Sequence, residues 1–186
     1  MTATRIPHRI LGLDLAKSTG VVVVSATGKL LHRRTYVCAS NDEAGKCREI
    51  RDLVDALCKD HGPFSVVGIE DTFLGKNVRL LKHLNRLSGA VLVAVDDHAI
   101  AYQFLATNRA RKALRLPYGP KAEVHRVLRA RRTVPRGLGS DELDAYVVAI
   151  AALRLARQGV GADTGPDRTP KPVRRPAPPK EAPRAA

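Results

Sequence analysis

The order of segments predicts an α/β domain built on a mixed sheet that is covered on both faces. Three observations carry that expectation. Short apolar strands are separated by amphipathic helical stretches, so strands are joined by helical crossovers. Two of the strands stop at an acid, Asp14 and Glu70, instead of at a turn residue. The chain is 186 residues long and 44% hydrophobic, enough for one domain with a sizeable core.

The first strand is Arg9-Ile10-Leu11-Gly12-Leu13-Asp14, an apolar run closed by a carboxylate. A polar turn ending at Gly20 leads into Val21-Val22-Val23-Val24. A second turn, Ala26-Thr27-Gly28-Lys29, returns the chain into a third strand over 30–37. Over 41–61 the apolar positions Ala44, Cys47, Ile50, Leu53, Val54, Leu57 and Cys58 recur at three and four, the stripe of a helix. Asn41 is placed to cap it, and Gly62-Pro63 end it. The strand Ser65-Val66-Val67-Gly68-Ile69-Glu70 follows at once, so this helix packs against the sheet.

After Glu70 comes a loop, then a long helix to about Val95 with Val78, Leu81, Leu84, Leu87, Ser88, Val91 and Leu92 along one side. Gly89 and Ala90 allow another element to approach it closely. Phe73, in the loop beside the acid, has two readings: a plug for the end of the core, or a platform for stacking a base. Residues 98–105 alternate loosely and form a fifth strand. The last helix opens at Gly139-Ser140-Asp141-Glu142-Leu143-Asp144-Ala145 and runs to about Leu155, with Ser140 as its N-cap. Asp141 and Glu142 suit the positive end of a helix dipole. Asp144 lies instead on the side that continues into Val147, Val148 and Ala151, where an acid needs a reason.

A carboxylate at the end of a core strand must be paired, protonated or bound to metal, because a bare buried charge costs several kcal/mol or more. If the first and fourth strands are neighbours, Asp14 and Glu70 lie side by side. A hard cation such as Mg²⁺ relieves the repulsion of clustered carboxylates. Two such ions about 4 Å apart activate a water and steady the leaving oxygen of a phosphodiester.

Charge points to the same substrate class. The formal net charge is +14, which favours a polyanionic partner, nucleic acid or an acidic membrane. The surplus is concentrated in 107–136, where Arg109, Arg111, Lys112, Arg115, Lys121, Arg126, Arg129, Arg131, Arg132 and Arg136 face one acid, Glu123. Two short helices broken at Pro117-Tyr118-Gly119-Pro120 are expected there, and phosphate contact accounts for the charge better than solubility does. No apolar run approaches the ~20 residues of a membrane span and no secretory signal is visible, so a cytoplasmic protein is expected. Cys38, Cys47 and Cys58 lack metal-ligand spacing, and none of the six histidines is paired at ligand spacing. Residues 160–186 hold seven of the twelve prolines and no apolar periodicity, which predicts a disordered basic tail after a domain spanning 1–159.

Three segments, in this order, resemble the motifs of the RuvC Holliday-junction resolvases in the RNase H-like nuclease superfamily. They are Ile10-Leu11-Gly12-Leu13-Asp14, the run from Val67 through Glu70, Phe73, Lys76 and Asn77, and Ser140-Asp141-Glu142-Leu143-Asp144-Ala145. The resemblance spans roughly residues 8 to 157, and Glu-x-x-Phe-x-x-Lys-Asn is its most specific part. It implies an RNase H-like mixed five-stranded sheet flanked by helices, and a homodimer that nicks four-way DNA junctions in pairs with two Mg²⁺ ions per site, Mn²⁺ substituting. Asp14, Glu70, Asp141 and Asp144 would be the metal-binding catalytic acids, with Lys112 and Lys121 as active-site lysines. Phe73 would stack near the crossover. Lys76, Asn77 and Arg79 would join Arg109, Arg111, Arg115, Arg126, Arg129, Arg131 and Arg132 in contacting DNA, and the helix after Asn77 would contribute to the dimer interface. Other branched DNA, structured RNA and a non-catalytic binding role stay open, as does a helicase partner. The family's usual Asp-Pro-Gly is Asp14-Leu15-Ala16 here, which with the tail suggests a divergent member of phage or mobile-element type.

Overall fold

The computed structural model describes residues 9–71 and 77–159. Its strands are β1 (Arg9–Asp14), β2 (Thr19–Ser25), β3 (Leu30–Tyr36), β4 (Phe64–Glu70) and β5 (Tyr102–Leu105). Its helices are α1 (Glu43–His61), α2 (Val78–Asp97), α3 (Thr107–Ala113), α4 (Lys121–Ala130) and α5 (Ser140–Arg157). The sheet has the order β3-β2-β1-β4-β5. β1 runs antiparallel to β2 and parallel to β4, and β4 is parallel to β5. The expected mixed five-stranded sheet is therefore present.

Alternation along the strands divides the core into two layers. Leu11, Leu13, Val21, Val23, Val67 and Ile69 face α1 and α2. Ile10, Val22, Val24, Val66 and Leu105 face α3, α4 and α5. The four valines of β2 are all fully buried, two toward each layer, and burying each contributes roughly 1.5 kcal/mol or more. Charge has no place along such a strand, so in β1, buried like β2, the acid stands at the strand end.

Several boundaries differ from expectation for local reasons. Asp42, not Asn41, caps α1, its Oδ1 accepting from Gly45 N at 2.8 Å. Ser140 is the first residue of α5 and Gly139 the N-cap, because Glu142 reaches back to accept from Gly139 N at 2.9 Å and secures the helix one residue earlier. α2 runs on to Asp97, and residues 98–101 form a turn, not strand. Ala99 adopts φ 52° there while Ile100 N bonds Val95 O at 2.8 Å, which leaves β5 only four residues. The break at Pro117–Pro120 lies between α3 and α4 as expected. The tail expected over 160–186 lies outside the described residues.

Candidate active site

Asp14 is the last residue of β1 and Glu70 the last of β4, two neighbouring parallel strands whose register pairs Leu13 with Ile69. Counting back by twos, Asp14 has the parity of Gly12 and Ile10, and Glu70 that of Gly68 and Val66. Both acids therefore project on the face that carries α5. α5 lies unusually close to this face. A Cβ at Gly12 would stand 2.3 Å from Ala145 O and 2.7 Å from Ala149 Cβ, and one at Gly20 would stand 2.1 Å from Asp141 O. Glycine at these two positions lets the first turns of α5 settle on the ends of β1 and β2, which brings Asp144 near Asp14 and Asp141 beside Gly20 and Ser18.

Each acid has a different environment. Asp14 is 6% exposed. Burial first, then a hydrogen bond with Glu70 and the charges of Glu70 and Asp144, push its carboxyl up to about 9, while Lys121 pulls the other way. Thr107 Oγ1, at the start of α3, donates to Glu70 Oε1 at 2.8 Å. Ser18 Oγ donates to Asp141 Oδ2 at 2.5 Å. Asp144 is held by α4: Lys121 Nζ contacts Oδ2, and His125 Nε2 lies 2.8 Å from Oδ1. Burial draws the Lys121 ammonium down, but its bond to Asp144 and the fields of Asp144, Asp14 and Asp141 outweigh this and hold it above its ordinary value. Lys121 thus lies in the field of three carboxylates.

The donor chemistry of this cluster suits a hard divalent cation, since all four acids offer oxygen and Asp14 is costly to ionise without added positive charge. Among the described residues, no three acidic, histidine or cysteine side chains form a closed cation cage, because Asp144 is turned to Lys121 and His125, and Asp141 to Ser18. Asp14 and Glu70 are the pair most ready to accept an ion.

The lysines and arginines separate into groups that the sequence does not distinguish. Lys121 reaches the acids. Lys112 does not: with Arg109, Arg115 and Arg154 it lines a cleft of about 460 Å³ between α3 and the last turns of α5, the end of that helix remote from Asp141 and Asp144. α3 starts beside Glu70, where Thr107 is bonded, and its own rise along α5 carries position 112 away from the carboxylates. Arg111 and Arg131 are spent inside the protein. Arg111 Nη1 donates to Gly119 O at 2.8 Å, and Arg131 donates to Leu114 O and Arg115 O at 2.8 and 2.9 Å, closing the C-terminal carbonyls of α3. Arg126, Arg129 and Arg132 are exposed on and just after α4, and Arg79 on the first turn of α2. Asn77 caps α2, accepting from Leu80 N at 3.1 Å. Phe73 and Lys76 lie outside the described residues.

Sequence reasoning missed Ser18, Thr107 and above all His125, which is 6% exposed. The available signal was its place between Val124 and Leu128 on the apolar stripe of α4, four residues after Lys121.

Comparison with known proteins places the chain in a family. A family model described as crossover junction endodeoxyribonuclease RuvC matches residues 10–151. A crossover junction endodeoxyribonuclease RuvC of Caulobacter sp. (strain K31) is 29% identical over 168 residues, covering 86% of this chain and 99% of the relative. One of Citrifermentans bemidjiense is 26% identical over 147 residues, covering 76% and 89%. Among solved structures, T. thermophilus RuvC in complex with Holliday junction substrate superposes with a TM-score of 0.68 at 22% identity, over 83% of this chain and 98% of that one. The yeast mitochondrial Holliday junction resolvase gives 0.54 at 11% identity, over 84% and 82%. The shared RNase H-like fold and a family match across most of the chain lead to one conclusion: this chain belongs to the RuvC family of crossover junction endodeoxyribonucleases.

Proposed function

We propose that the chain resolves four-way DNA junctions by Mg²⁺-dependent, paired hydrolysis of phosphodiester bonds, with two ions per site. Asp14, Glu70, Asp141 and Asp144 are the metal-binding acids, and Lys121 is the lysine beside them. The observation that carries this reading is the buried Asp14 against Glu70 at the ends of adjacent strands, with Asp144 brought up by α5. The family is one of metal-dependent nucleases. When bound, hard divalent ions supply a water of lowered pKa and neutralise charge on a phosphodiester.

The chain's own residues prepare that chemistry. β1 and β4 hold Asp14 and Glu70 rigidly. The hydroxyls of Thr107 and Ser18 donate to Glu70 and Asp141, which fixes the direction of each carboxylate. The Lys121 side chain is half exposed, open to an incoming phosphate, where its ammonium offsets charge building on the phosphoryl oxygens. Arg109, Lys112 and Arg115 at the α3–α5 cleft, with Arg79, Arg126, Arg129 and Arg132, form the phosphate-facing surface. Phe73 and Lys76 join it on their motif alone. The exposed Val78 and Val93 on one side of α2 support self-association through that helix, and a two-fold dimer presents two sites to one junction.

A gel assay on a mobile synthetic junction with Mg²⁺ tests this. Wild type produces paired nicks and Asp14→Asn none. A wild type that spares the junction while cutting flaps or structured RNA sinks the choice of substrate.

A further inference from the structure

The best-defined polar contact that the motif residues leave unexplained is that of His125. It lies on α4 between the buried Val124 and Leu128, its side chain 8% exposed, with Nε2 2.8 Å from Asp144 Oδ1. A carboxylate only accepts, so Nε2 carries the hydrogen and donates. Lys121, one turn earlier on the same face of α4, contacts the other oxygen of Asp144. The two partners differ in kind. Lys121 is a long side chain, 51% exposed, and it can swing into solvent; His125 has two torsions and is walled in by the core. An imidazole is an expensive residue to bury unless its polar atoms are satisfied, and an apolar side chain would pack at this position without that cost.

We propose that His125 is a positioning residue for the reaction: it holds one oxygen of the Asp144 carboxylate in place near Asp14, while Lys121, on the other oxygen, is the partner that yields when a divalent cation is taken up. This rests on the reading of Asp144 as a metal-binding acid. Its physical basis is that a hydrogen bond to one oxygen of a ligating carboxylate pre-sets its direction, so the free protein does not have to order that side chain when the ion arrives. Loss of such outer partners typically weakens metal affinity about 10- to 100-fold.

The test is a titration of the DNA-free, full-length protein with Mn²⁺, following the paramagnetic resonance of the free ion. His125→Gln places an amide N–H close to where Nε2 stood; His125→Leu fills the same space with no donor. The expected result is near wild-type Mn²⁺ affinity for His125→Gln and a loss of roughly tenfold or more for His125→Leu, with equal thermal midpoints in chelator. Lys121→Met is expected to bind Mn²⁺ at least as tightly as wild type. Equal affinity for the Gln and Leu variants, whether both intact or both lost, overturns the proposal. If His125→Leu does not fold, His125→Met replaces it; if neither folds, His125 is a packing residue first and the proposal fails. A wild type that binds Mn²⁺ no better than Asp14→Asn refutes the metal reading itself, an outcome separate from any pattern among the His125 variants.

Discussion

The acidic end of the sheet and the basic segment over α3 and α4 are written in equally conspicuous runs of charge, yet they differ in how far each residue's task follows from its position. At the acidic end, place in a strand or helix nearly dictates the task. Asp14 and Glu70 close buried strands with the same parity, and α5 brings Asp144 to them. In the basic segment, place says little. Arg129 and Arg131 stand two apart, but one is exposed and the other closes the carbonyls of Leu114 and Arg115. A short carboxylate stays where the backbone puts it, whereas an arginine reaches far enough to choose between solvent and any free carbonyl nearby.

The sharpest way to break this contrast is at Asp14. Asp14→Asn should lower junction cleavage by roughly 10²- to 10³-fold or more and leave metal-free junction binding within about twofold, read by gel cleavage and mobility shift. Residual cleavage near wild type would mean that position does not dictate the task even here. Gly12→Ala tests the close approach that assembles the acidic end. The added methyl meets the backbone of α5, so destabilisation of roughly 1–3 kcal/mol or more should appear in denaturant melts, and an unchanged midpoint would show that α5 has room to spare.

Arg131→Ala and Arg129→Ala probe the basic side as a pair. The first should cost roughly 1 kcal/mol of stability, because the part-buried Leu114 carbonyl loses its donor; the second should leave the melt unchanged. Reversed outcomes would mean that the arginines have exchanged roles. The acidic end also predicts a pH effect in metal-free protein. The folded-state pKa of Asp14 is raised from 3.8 to about 9, so the folded state holds that proton more tightly than the unfolded chain does. Its contribution is complete below about pH 4 and is lost as pH rises toward 9. The thermal midpoint in chelator should therefore fall over this range, and Asp14→Asn, with no proton to lose, should flatten the fall. A wild-type midpoint that rises with pH would contradict the burial of Asp14. The smallest expected change is in salt dependence: Arg129→Ala or Arg115→Ala should reduce the slope of log affinity against log salt by about 1 for each phosphate contact removed, whereas Arg111→Ala should change it little.

Much of the fold was legible before the structure. The meander, the crossover helices and the proline break all follow from apolar periodicity and turn chemistry, and the three acidic motifs are visible as charges in apolar settings. What failed was mostly local. Ala99 turns the chain where alternation suggested strand, and Glu142 starts α5 one residue early. Lys112 was placed among the acids because the resemblance puts a lysine there, but α3 starts beside Glu70 and carries it to the far end of α5. His125 was passed over because no second histidine or cysteine stood at ligand spacing; its partner is an acid 19 residues away on another helix.

The sequence alone determined which elements form and that Asp14 and Glu70 close apolar strands, because hydrophobic period and turn chemistry are properties of the local chain. Only the tertiary structure decided that β1 and β4 are neighbours, how closely Gly12 and Gly20 let α5 approach, and which cations turn inward. Those outcomes depend on distances between segments far apart in the chain, set by how the two layers of the core close over the sheet.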